Sequence, residues 1–151
     1  MSTRIHLAIS KKPARDDPSV IVTRLFTWAL FRTFEGIAEP YRAIVDTGAP
    51  TSLIPYKIWR HCPVLTLKDI VIQGIADCEE CDLPVIEGVI KCTLSDGYTM
   101  LPELVIRAHL ASEGSDVPLL LGFDAMLERM SLYCAVWDNE AYLELPGNTN
   151  K

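Results

Sequence analysis

Apolar residues in this chain come in short runs, each closed within a few positions by Gly, Pro, Asp, Asn or Ser. That spacing constrains the fold more than any other feature, because runs of such length fit strands better than stable helices. Candidate strands are Ile5–Ile9, Val20–Thr23, Thr27–Thr33, Tyr41–Val45, Leu65–Ile72, Val85–Leu94, Thr99–Ala108, Leu132–Val136 and Ala141–Leu145. Ser95-Asp96-Gly97 lies between two of them and reads as a hairpin turn, since Gly accepts a positive φ at no steric cost. Only two segments carry helical marks. Tyr56–Cys62 is bracketed by Pro55 and Pro63. After Gly122, the residues Phe123, Met126, Leu127 and Met130 fall at helical spacing over about two turns. The expected fold is mostly β with one or two short helices.

A length of 151 residues allows one domain, 1–151, and 49% apolar residues supply one core. The loop around Lys11–Pro18 is charged and expected to be mobile, and 147–151 is polar and expected to fray. Fourteen Lys and Arg stand against twenty Asp and Glu, a net charge of −6 without a basic run, which argues against nucleic acid as a partner. The apolar stretch Val20–Phe31 is broken by Arg24 and falls short of a membrane span, and the first residues lack the apolar core of a signal peptide. With an odd number of cysteines, five, the expectation is a soluble cytoplasmic protein with reduced thiols and no membrane partner.

The informative stretch is Ala43-Ile44-Val45-Asp46-Thr47-Gly48-Ala49-Pro50-Thr51-Ser52-Leu53-Ile54-Pro55. Three apolar residues make a buried strand, and a carboxylate appears at its end. A carboxylate there is costly unless it is hydrogen-bonded or paired. Gly48 permits a sharp turn and close approach of a ligand, and Thr47 offers a hydroxyl to the backbone. Asp46 alone could equally be a turn aspartate bonding the next loop. The stretch resembles the Asp-Thr-Gly signature of aspartic proteases, and most closely the single-domain, retropepsin-like branch. Leu119-Leu120-Leu121-Gly122 followed by Phe123-Asp124-Ala125-Met126-Leu127 resembles that family's second element, an apolar pair and Gly leading into a short helix. The resemblance covers residues 41–130.

The resemblance implies a closed β-barrel or sandwich with a flap hairpin, working as a homodimer. It implies an aspartic endopeptidase in which Asp46 of each subunit shares one site on a two-fold axis. Such a pair shares a proton, because two like charges a few ångström apart cannot both ionise. One member takes a proton from a bound water and the other donates a hydrogen bond to the developing oxyanion, with no metal and no cofactor. The partners implied are a second copy and a peptide or protein substrate. By the same resemblance Thr47 and Gly48 support the site. Gly48, Ala49, Gly74, Ile75, Ala76 and Leu120 contact substrate, with 74–82 as the flap. That flap is acidic and longer than the glycine-rich retroviral tip. The terminal segments Ile5–Ile9 and Ala141–Leu145 become candidates for pairing across the dimer interface. The alternative is a dimeric binding or assembly module that keeps the geometry with little or no proteolytic activity.

Other chemistry is thin. His6, His61 and His109 are isolated, with no nucleophile motif beside them. Asp124 is read as a carboxylate favoured at a helix N-terminus rather than as a second acid. Cys78-Glu79-Glu80-Cys81 lacks the second pair of a zinc ribbon, so thiols in a hairpin tip, a redox clamp and a metal site stay open in that order.

Overall fold

Two strands of thirteen residues carry the architecture in the computed structural model, which describes residues 1–37, 39–72 and 83–147. From the N-terminus the strands are β1 (Thr3–His6), β2 (Ala8–Pro13), β3 (Ile21–Thr33), β4 (Gly36–Ile37), β5 (Tyr41–Val45) and β6 (Ser52–Ile54). A single turn of helix, α1 (Tyr56–Trp59), follows, then β7 (Leu65–Ile72), β8 (Leu83–Ser95), β9 (Leu104–Ala111), β10 (Leu120–Leu121), β11 (Ser131–Ala135) and β12 (Glu140–Leu145).

Each long strand serves more than two neighbours, β3 pairing with β2, β4, β5 and β8 and β8 with β3, β7 and β9, which is why it must be long. The first part of β3 pairs with β2 and β5, Trp28–Phe31 pair with Cys92–Ser95 of β8, and Arg32 and Thr33 pair with β4. That last pairing closes β3-β5-β10-β6-β9-β8 into a six-stranded barrel. The alternation expected of strands with one face inward is plain in β9. Leu104, Ile106, Ala108 and Leu110 are buried, while Val105 and Arg107 are exposed and His109 is half-buried. The core gathers Phe31, Ile54, Ile90, Cys92, Leu94, Ile106, Leu110 and Leu121, each essentially inaccessible. Full burial of one such aliphatic side chain contributes about 1.5–3 kcal/mol.

The structure departs from the sequence expectation in definite places. Val20–Thr23 and Thr27–Thr33 are parts of one strand, because Arg24 sits at an exposed position where a charge costs nothing. Ile5–Ile9 is two strands belonging to different sheets, separated at the buried Leu7, whose N–H donates to the Ala141 carbonyl at 2.9 Å. The charged segment expected as a mobile loop begins as strand, since β2 runs through Lys11 and Lys12 to Pro13. The Ser95-Asp96-Gly97 turn is present, with Gly97 at φ +90°. The strand after it begins at Leu104, not at Thr99. After Gly122 there is no α-helix but turns and a short 3₁₀ segment at Leu127–Arg129. Asp124 therefore has no helix dipole to complement.

The two terminal segments pair with each other inside one chain. β12 lies between β1 and β11 in a three-stranded antiparallel sheet, with Ile5 opposite Leu143 and Leu143 opposite Leu132. A central strand has no free edge to offer a partner, so removing Leu143 onward would dismantle this sheet rather than simply detach a subunit.

Candidate active site

Asp46 follows the last residue of β5, where the chain leaves the barrel. The strands β5 and β6, joined by the loop that carries Asp46, are not neighbours. β10 lies between them, parallel to β5 and antiparallel to β6. The loop must therefore arch over the end of β10, and the backbone locks it there. The Asp46 N–H donates to the Leu121 carbonyl at 2.9 Å and the Ile44 N–H to that of Leu119 at 2.9 Å. Across the arch, the Phe123 N–H donates to the Ala49 carbonyl at 3.0 Å and the Asp124 N–H to that of Pro50 at 2.8 Å. The fully buried Ser52 hydroxyl accepts from the Gly122 N–H at 3.0 Å. Gly122 is the residue that makes this possible. A β-carbon there would stand 2.6 Å from the Ala49 carbonyl oxygen and 2.8 Å from that of Thr51.

The carboxylate itself is half-buried, and its Oδ1 accepts from the Gly48 N–H at 2.9 Å. A β-carbon at Gly48 would lie 3.3 Å from that same oxygen, so a side chain there would crowd the carboxylate. Asp46 faces an open depression of about 560 Å³ lined by Thr23, Arg24, Leu25, Ile44, Thr47, Pro118, Leu120 and Cys134, among others. Among its described lining residues Asp46 is the one carboxylate.

Of the residues singled out in the sequence, Asp46, Thr47 and Leu120 line this one depression. Gly48 orients the carboxylate, and Ala49 gives its backbone carbonyl to the clamp. Leu120 also packs with Leu53, Val85, Ala111, Ile70, Ile72, Leu83 and Val117, a small apolar cluster reaching the stem of the β7–β8 hairpin. That stem is paired up to Ile72 opposite Leu83. Gly74, Ile75, Ala76, Cys78 and Cys81, and with them the expected flap tip, lie outside the described residues. Sequence reasoning passed over Ser52, Arg24 and Cys134. Arg24 showed only as a charge interrupting an apolar run, and Cys134 only as one of five cysteines.

The remaining candidates are not brought to the site. His61 accepts from the Arg60 side chain at 2.9 Å. His109 lies on β9 opposite Glu87. Burial pushes its imidazole pKa down, partly offset by the charges of Glu87 and Asp124. Among the described residues no group of three or more His, Cys, Asp or Glu could hold a metal ion. Among them, too, no helix is long and apolar enough to cross a membrane.

A barrel with an arched aspartate loop locked over an interposed strand defines a retropepsin-like fold. The chain is similar throughout its length to a solved structure, a retropepsin-like aspartic protease from Rickettsia conorii. The TM-score is 0.52 and the identity 14%, over 96% of this chain and 93% of that one. No protein-family model matches the chain. No curated protein matches it in sequence.

Proposed function

We propose that this chain is one half of an aspartic endopeptidase, hydrolysing peptide bonds with a water held between its Asp46 and the Asp46 of a second copy. The observation that carries this is the isolation of a rigidly oriented carboxylate. Asp46 is fixed by the Gly48 N–H at 2.9 Å and opens on a depression whose described lining holds no second acid. General acid–base hydrolysis needs one group to accept a proton and another to donate one. In this reading the second carboxylate comes from a two-fold partner, which supplies it in the same orientation. The ionised member takes the proton of the attacking water. The protonated member hydrogen-bonds the oxyanion, and a proton then passes to the leaving amine. Thr47 and Gly48 hold the carboxylates in register. Leu120 and the apolar cluster at the hairpin stem offer a surface for an apolar substrate side chain. The expected residence of such an enzyme is the cytoplasm.

The test is Asp46→Asn, which preserves shape and removes the ionisable group. Cleavage of a peptide library is expected to fall by at least about 100-fold, with thermal stability and oligomeric state unchanged. Rigorously purified mutant that cleaves at the wild-type rate would sink the assignment.

A further inference from the structure

Near the middle of β3, Trp28 lies between two strand partners, Arg42 of β5 on one side and Ser95 of β8 on the other. Its chain neighbours Thr27 and Ala29 are buried, so alternation turns Trp28 and Phe26 outward. Arg42, directly opposite Trp28, shares that face. Trp28 is 43% exposed, and Tyr98, in the turn that follows Ser95, is 99% exposed. Together these residues line an open depression of about 560 Å³ that also reaches the buried Leu7. It has no described lining residue in common with the Asp46 depression.

The charges here are sorted. Asp96 is engaged by its own turn and by β1: its Oδ1 accepts from the Tyr98 and Thr99 N–H groups at 2.8 and 2.7 Å, and its Oδ2 from that of His6 at 3.0 Å. The Gly97 N–H goes to the Ser95 hydroxyl at 3.0 Å. The turn therefore keeps no cluster of amides for a phosphate, and it holds Tyr98 on a pinned base. Arg42 is the opposite case. It makes no ion pair among the described residues, and its guanidinium lies 3.8 Å from the centre of the Phe26 ring. Stacking occupies the flat face of a guanidinium and leaves the N–H donors at its edge able to grip a carboxylate. The surroundings favour an anion too. β2, β3 and β5 carry Lys11, Lys12, Arg24, Arg32 and Arg42 without one Asp or Glu, in a chain whose net charge is −6.

We infer that this depression docks an acidic peptide segment of a partner protein. An aromatic side chain of the segment rests on Trp28 and Tyr98, and a neighbouring carboxylate is held by Arg42. Trp, Tyr and Arg are the residue types that dominate binding energy at protein contacts. Here they stand exposed together on paired strands and a pinned turn, so little ordering is required when the segment arrives. An open depression also suits a segment of a larger chain better than a small ligand, which is normally enclosed. Asp46 takes no part, so the site is independent of peptide cleavage.

The test is fluorescence anisotropy with a labelled Gly-Glu-Asp-Phe-Glu-Asp-Gly peptide and the full-length chain. Wild type and Asp46→Asn are expected to bind it alike, and less tightly as salt rises. Arg42→Gln and Trp28→Ala, both at exposed positions, should each weaken binding about tenfold or more with circular dichroism unchanged. Arg15→Gln, which removes the same charge from the exposed loop after β2, should leave binding intact. Peptides with Lys in place of every acid, or Ser in place of Phe, should bind about tenfold more weakly or worse. Absence of wild-type binding overturns the inference. So does an equal loss in Arg15→Gln and Arg42→Gln, which reduces the effect to bulk charge, or displacement of the peptide by ATP at comparable concentration. Binding lost in Asp46→Asn but kept in Arg42→Gln also overturns it, by moving the peptide to the Asp46 depression, and leaves the proposed function standing. A changed oligomeric state in Trp28→Ala with peptide binding unaltered overturns it in favour of a second copy on this face.

Discussion

Replacing Gly122 by Ala probes the clamp on which the orientation of Asp46 depends. The added β-carbon would stand 2.6 Å from the Ala49 carbonyl oxygen, 2.7 Å from the Thr51 carbonyl carbon and 2.8 Å from the Thr51 oxygen. All three are backbone atoms, so no side chain can swing aside. Overpacking of this kind costs about 1–3 kcal/mol. The arch can relieve it only by separating from Gly122–Asp124, which strains the bond from the Gly122 N–H to the buried Ser52 hydroxyl. A buried donor left unsatisfied adds about 1–3 kcal/mol. The sum, about 2–6 kcal/mol, is a large part of the 5–15 kcal/mol typical of a domain, about. At roughly 2–4 °C per kcal/mol for this size, a loss of about 4 kcal/mol lowers Tm by about 8–16 °C. Urea denaturation of the purified chain reads the loss directly. The comparison is Gly97→Ala, where φ is +90° and nothing lies within 4 Å of the new carbon, so only backbone strain of about 1–2 kcal/mol is expected. Activity of the folded fraction should also fall in Gly122→Ala, because Ala49 and Pro50 adjoin the Asp46 turn, and should not fall in Gly97→Ala. If Gly122→Ala proves no less stable than Gly97→Ala, the arch is not held as described.

Burial pushes the Cys92 thiol far above its ordinary value, with smaller contributions from Cys62 and Glu103, and burial raises Cys62 as well. Raised folded-state values mean that this stabilisation is intact below the unfolded thiol pKa of about 8.5 and is lost as pH rises through the folded value. Unfolding free energy should accordingly decline above about pH 9, more steeply in wild type than in Cys92→Ala, and native alkylation should modify Cys134 while sparing Cys62 and Cys92. Asp96 behaves in the opposite sense. Burial opposes its charge, but the N–H groups of His6, Thr99 and Tyr98 prevail and hold its pKa below the usual carboxylate range. Its contribution is present above the unfolded value of about 3.9 and lost as pH falls through the folded one. Asp96→Ala should thus destabilise the neutral protein by about 1–2 kcal/mol, and denaturation curves near pH 3 should show that gap shrinking.

What the sequence revealed depends on how local its cause is. Tyr41–Val45, Leu65–Ile72 and the Ser95-Asp96-Gly97 turn follow from pattern and turn chemistry within a few residues, and all three are present. β10 is two residues long and exists because Ile44 and Val45 flank it on one side and Leu53 on the other. No window centred on Leu120 contains that information. The helix expected after Gly122 fails at Ala125. The helical spacing of Phe123, Met126, Leu127 and Met130 is real, but Ala125 sits at φ +56°, and the Leu127 and Glu128 N–H groups reach back five residues, to the Gly122 and Phe123 carbonyls, instead of four. Asp46 itself was visible because a carboxylate after Ala-Ile-Val needs an explanation wherever it occurs. Arg24 and Cys134 carry no such signal, since they reach the depression only through the pairing of β3 with β5 and of β11 with β12.

The same topology explains why such a chain would be built as half of a site. Everything needed to orient one carboxylate is supplied in cis: the strand end, the Gly48 N–H, and a clamp that ties the arch to Gly122 on its far side. The other acid in the clamp, Asp124, offsets with its charge part of the effect of burial on His109 of β9. Asp46 remains the sole carboxylate among the described residues of its depression. Among the described residues the barrel has this one arch over this one interposed strand, β10 between β5 and β6. In the proposed dimer, symmetry would supply the second arch without new sequence. It would also bring both carboxylates in with equivalent orientations, as a pair sharing one proton on a two-fold axis requires.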